Sequence, residues 1–144
     1  MLLIGDEALD ALYFPLPGTR HYDLGEIWRD WTGLPMVYAV WATRDEFLRR
    51  NRAELLAVEE ELVRSMDYSR ESAPQVVEGA LGLTRLDRPS LTRYFELLHY
   101  GFAEVYQTGL RRFYELAHEA GELVEVPDLR FFGEGSAGQG QREA

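Results

Sequence analysis

The sequence predicts an α/β chain: two short early strands followed by mostly helices. Three observations carry this. Leu2-Leu3-Ile4 is an apolar run stopped by Gly5-Asp6. Met36 to Trp41 is a continuous apolar stretch rich in Val, Tyr and Trp. Beyond Thr43, apolar residues recur at helical spacing almost to the end of the chain.

Residues 2–4 fit a buried strand ended by the glycine, and Glu7 to Leu12 fit one or two helical turns. Pro15, Pro17 and Gly18 force a loop. Asp23 is a good N-cap, with Glu26 three residues on in a near capping box. Leu24, Ile27, Trp28 and Trp31 then form one apolar face, Gly33 ends the helix and Pro35 prevents its continuation. Residues 36–41 are continuous rather than alternating in character, as in a strand covered on both faces. Thr43 and Glu46 repeat the capping-box pattern. The helix they open is expected to reach about Met66, with Leu48, Leu55, Val58, Leu62 and Met66 inward.

Ser72 and Gln75 open a further helix with Pro74 in its first turn and Val76, Val77, Ala80 and Leu81 on its apolar side. Pro89-Ser90 start another, carrying Leu91, Tyr94, Phe95 and Leu98. A long helix from about Ala103 to Gly121 turns Leu110, Phe113, Tyr114 and Ala117 inward. Residues 133–144 are rich in Gly, Gln and Ser and are expected to be a disordered tail. Two parallel strands do not make a stable sheet alone. Either a partner supplies their neighbours or the natural polypeptide begins upstream.

At 144 residues the chain has the length of one domain, and a compact chain of that size buries roughly 70% of its unfolded surface. Its net charge of −10 argues against nucleic acid and against anionic membranes as partners. The longest apolar run, Leu34 to Ala42, falls short of the roughly 20 residues of a membrane span, and the first residues lack the basic start and length of a signal peptide. A cytoplasmic location is therefore expected. All 15 basic residues are Arg, so no side-chain Schiff base can form, and cysteine is absent, which excludes disulfides and thiol chemistry. The scattered Arg residues fit a coding bias better than a binding site.

The blocks Leu3-Ile4-Gly5-Asp6-Glu7-Ala8-Leu9, Asp23-Leu24-Gly25 through Trp28, Trp31-Thr32-Gly33-Leu34-Pro35 and Tyr38-Ala39-Val40-Trp41 together resemble the carboxy-terminal half of the chorismate dehydratase family, which acts at the first step of the futalosine route to menaquinone. A weaker likeness runs through Gly109 to Ala117 and Val126 to Phe132. The resemblance implies a bilobed fold like that of type II periplasmic binding proteins, of which residues 1–132 would be the second half. It implies loss of water from chorismate to give 3-enolpyruvylbenzoate, with no cofactor. It also implies an upstream half carrying an Asn proposed to act in catalysis and a Ser/Thr-rich helix start that holds the substrate carboxylate. Without that half the chain is expected to be inactive alone. The alternative is a noncatalytic fragment of a solute-binding-protein-like fold that binds a small carboxylate.

On that template Gly5 and Asp6 end a strand at the cleft, where ligands of parallel sheets bind. Gly lets the backbone approach a ligand, and Asp6 could accept from a substrate hydroxyl or shuttle a proton. An N-cap for the turn starting at Glu7 is an equal alternative for Asp6. Thr32 and Gly33 could donate to a carboxylate, although helix termination is favoured over that role. Trp28, Trp31 and Trp41 fit core packing. His21, His99 and His118 have no metal-ligand spacing, and Glu59-Glu60-Glu61 reads as a solvated helix face.

Overall fold

The computed structural model describes residues 1–132, so the expected disordered tail at 133–144 lies outside the described residues. Among these residues there are seven helices: α1 (Asp6–Tyr13), α2 (Leu24–Thr32), α3 (Asp45–Arg50), α4 (Arg52–Glu71), α5 (Ala73–Ala80), α6 (Arg88–Leu97) and α7 (Glu104–Glu119). No strand occurs among them, which overturns the α/β expectation and, with it, the partial periplasmic-binding-protein-like architecture. Residues 2–4 and 36–41 are neither helical nor paired. The error has a physical source. β-Propensity reports a side chain's fit to a pleated surface, whereas a strand exists only where another backbone supplies the ladder. Nor are the two segments covered on both faces: Leu2, Ile4, Tyr38, Val40 and Trp41 are exposed, and only Leu3, Met36 and Val37 are half-buried.

The described residues divide into two compact units, one formed by Met1–His21 with Trp41–Tyr100, the other by Tyr22–Val40 with the described residues from Gly101. The first holds α1 and α3–α6. Its core is Val77, Leu86 and Leu91, against which Tyr13, Ala80, Leu81 and Phe95 pack. Helices α5 and α6 form the hairpin that makes this core. The first starts after Ser72 with proline in its first turn, and the second is capped by Asp87, whose carboxylate accepts from the Ser90 N–H at 3.0 Å. Hydrogen bonding from the Ser90 side chain, and then from that N–H, holds the Asp87 carboxyl below its usual range. Leu86 is buried in the turn between the helices, where its N–H donates to the Thr84 hydroxyl at 3.1 Å.

The single helix expected from Thr43 to Met66 is two. Arg44 and not Thr43 occupies the first N-cap, and no side chain bonds there. Asn51 (φ −131°, ψ 40°) then breaks the helix, its amide donating to the Phe47 carbonyl at 3.2 Å. Along α4 the expected inner positions Leu55, Leu62 and Met66 are half-buried and Val58 is exposed. No residue of α4 is buried. Glu59, Glu60 and Glu61 are exposed, with Glu61 paired to Arg64 at 3.1 Å.

The second unit brings together α2, the segment 33–40 and α7. Asp23 caps α2, accepting from the N–H groups of Gly25 (2.7 Å) and Glu26 (3.1 Å). Gly33 ends it in the left-handed region at φ 72°. Of the apolar face read from the sequence only Trp28 is buried, at 6% exposure; Leu24, Ile27 and Trp31 are exposed. The Trp28 indole N–H donates to the Pro35 carbonyl at 3.2 Å, and its ring meets Phe113 of α7 edge-on at 5.9 Å between centroids. Of the residues expected inward on α7, Leu110 is buried, Tyr114 and Ala117 are half-buried, and Phe113 is exposed despite its contact with Trp28. Gly109, beside Leu110, lies against the same Pro35 carbonyl, so that a Cβ there would overlap the oxygen.

The same substitution should therefore act with opposite sign at two helical glycines. Gly79 in α5 has nothing within 4 Å of a built Cβ, so Gly79→Ala should raise stability by up to about 1 kcal/mol through helix propensity. Gly109→Ala must displace a backbone carbonyl and should lower stability by about 1–3 kcal/mol. Denaturant midpoints of the two variants against the parent check both signs.

Candidate functional site

Gly5 adopts φ 64°, ψ −139°, a conformation open to glycine and strained for an L-residue. Its carbonyl accepts from the N–H groups of Ala8 (3.0 Å) and Leu9 (3.1 Å), which starts α1. Of the two roles open to Asp6, the N-cap position falls to Gly5, which has no side chain to cap with. Asp6 is instead the first residue of α1, and with Glu7 it puts negative charge at the positive end of the helix dipole. Its carboxylate makes no cap hydrogen bond.

Asp6 lines an open hollow of about 330 Å³ in the first unit. Asp10, one turn on in α1, lines it as well, as do Leu9 of the same helix and Leu83, Thr84 and Arg85 from the loop between α5 and α6. Arg85 reaches Asp10 through Nη1 at 3.5 Å, and its guanidinium carbon stands 4.5 Å from the centroid of the Phe14 ring. The hollow thus combines two carboxylates, one guanidinium and two leucines. Asp10 and Arg85 were not singled out from the sequence. Asp10 lay inside a short helical run and Arg85 inside a turn, and only the packing of α1 beside the α5–α6 loop joins them.

Thr32 and Gly33 lie in the other unit, at the C-terminus of α2. The Thr32 hydroxyl donates to the Trp28 carbonyl at 2.8 Å and accepts from the Leu34 N–H at 3.2 Å. The Gly33 N–H donates to the Arg29 carbonyl at 2.8 Å. Both donors therefore satisfy carbonyls of the helix end, as helix termination requires.

Tyr38, in the same unit, carries an interaction that its sequence position did not advertise. The residue is 76% exposed, yet its hydroxyl end rests over Gly25 in the first turn of α2, where a Cβ would overlap it. The partial burial of that end, with the Asp23 and Glu26 carboxylates beside it, raises the phenol above its usual range. The histidines are engaged locally or exposed. His21 Nε2 is 3.1 Å from the Thr19 hydroxyl, His118 Nδ1–H donates to the Leu123 carbonyl at 2.9 Å, and His99 is exposed. No group of metal-ligating side chains forms among the described residues, and no helix among them is long and apolar enough to cross a membrane.

A family model described as menaquinone biosynthesis matches residues 1–119 of the 144. The chain belongs to that family, an enzyme family with a role in menaquinone biosynthesis. The match bears out the resemblance carried by the Gly5-Asp6 and Trp31-to-Pro35 blocks. No solved structure matches the chain.

The raised Tyr38 phenol makes a pH dependence with a definite sign. A group whose folded pKa lies above its unfolded value of about 10 contributes stability that is whole below pH 10 and is lost as pH rises through the folded pKa. Stability should therefore fall between pH 9 and 11 more steeply in the parent than in Tyr38→Phe. Urea midpoints across that range measure it.

Proposed function

We propose that this member of the menaquinone biosynthesis family serves the dehydration of chorismate to 3-enolpyruvylbenzoate and water, a carbon–oxygen lyase reaction, with Asp6 as its proton-transferring group. The observation that carries this reading is the Asp6 carboxylate, not engaged in capping α1, in a hollow that also holds Arg85. The reaction removes one ring proton and one hydroxyl, so that a C–H and a C–O bond break and the ring gains aromaticity. A carboxylate that accepts the proton and delivers it toward the departing hydroxyl suffices for that chemistry, given positioning.

Gly5 supports the same placement. No neighbour lies within 4 Å of a built Cβ there, so the backbone before α1 is open to a ligand. Thr32 and Gly33 would serve a substrate carboxylate only by releasing the Trp28 and Arg29 carbonyls that they now satisfy. Gly5 and Asp6 need no such change. The guanidinium in the hollow also favours a second reading, in which a small carboxylate is bound without turnover.

Two outcomes follow. The 144-residue chain alone should produce no measurable 3-enolpyruvylbenzoate, because the hollow is open to water and so does not give the substrate the positioning that proton transfer needs. Clear turnover by the purified chain would refute this. Once activity is restored by adding the upstream half of a chorismate dehydratase, Asp6→Asn should lower the rate by about 10²-fold or more with an unchanged melting temperature. A parental rate in that variant would retire Asp6 and favour binding without catalysis.

A further inference from the structure

We infer that Arg85 is the carboxylate-recognising residue of the Asp6 hollow and that Asp10 is the internal group a ligand displaces from it; the inference rests on the hollow being the substrate site. Arg85 offers five N–H donors in a planar fork, a shape that matches a carboxylate in bidentate fashion. Its present pairing uses little of that capacity. Asp10 approaches through one oxygen and one nitrogen at 3.5 Å, beyond the length of a good charge-assisted hydrogen bond, and both side chains are substantially exposed. The Phe14 ring at 4.5 Å attracts the guanidinium through its π face, without drawing on the N–H fork. Arg85 is thus held in place by a contact that leaves its recognition edge available.

The rest of the lining defines the ligand class. Leu9 and Leu83 offer apolar surface to a ring, Thr84 lies next to Arg85, and Asp6 stands at the start of α1. The fitting ligand is a ring-bearing carboxylate. Asp10 sets its affinity, because it occupies the guanidinium before the ligand does and repels a second anion in the same hollow.

That competition makes the test specific. Benzoate and its uncharged analogue benzamide are titrated into the ¹⁵N-labelled chain at low salt, with the arginine side-chain N–H resonances followed. Benzoate should shift the Arg85 resonance and benzamide should not. Arg85→Gln should weaken benzoate at least 10-fold, whereas Asp10→Asn should tighten it several-fold. A merely structural Arg85–Asp10 pair predicts equal loss in both variants, and a misfolded variant cannot bind more tightly than the parent. No benzoate-specific shift at Arg85, or no tightening in Asp10→Asn, overturns the inference. Its failure is separable from that of the catalytic reading. Slow turnover in Asp6→Asn with no benzoate response at Arg85 removes Arg85 alone, and a benzoate response with parental turnover in Asp6→Asn removes Asp6 alone.

Discussion

The second unit depends on one carbonyl. The Pro35 oxygen accepts from the Trp28 indole and faces Gly109 of α7, so it fixes three parts of the chain to each other: the buried side of α2, the segment that leaves it, and the long helix. A proline belongs at that place because its ring keeps α2 from running on past Gly33. Glycine belongs opposite because any Cβ would collide with the oxygen. The ring contact of Trp28 with Phe113 and the burial of Leu110 then complete a small core around the same point.

What could be read in the sequence was local. Asp23 and Gly33 frame α2 through side-chain and backbone rules that act within four residues, and the structure keeps both. The proline-led starts of α5 and α6 and the extent of α7 were legible for the same reason. The two strands failed because pairing is not local: Val37 or Ile4 can prefer an extended backbone, but no sequence window shows whether a neighbour will bond to it. The break at Asn51 was hidden by an uninterrupted helical pattern on either side. Nothing in the helical pattern of α7 marks Gly109, and only the approach of Pro35 gives it a reason.

The candidate site divides along the same line. Gly5 and Asp6 were read as the end of a strand at a cleft; that strand is absent, and what the sequence does carry there is local, a glycine before an acidic helix start. Their neighbours Asp10 and Arg85 were not legible, since that pair lies 75 positions apart in the chain. At Thr32 and Gly33 the sequence left two roles open, and the geometry shows how completely a helix end can engage polar groups that would otherwise suit a ligand. A hydroxyl has one proton to give, and Thr32 gives it to Trp28. The electrostatics differ between the places as well. The Asp6 hollow keeps a guanidinium in reach, whereas the Tyr38 hydroxyl has the Asp23 and Glu26 carboxylates beside it at the start of α2.

The burial of Trp28 has an optical consequence. The chain has three tryptophans, and Trp31 and Trp41 are 69% and 83% exposed, whereas Trp28 is enclosed with its indole N–H bonded. A soluble quencher such as acrylamide collides freely with the first two and far less with the third. The emission that survives quenching comes mainly from Trp28, so its wavelength and lifetime give a label-free gauge of whether the Pro35 carbonyl is still held.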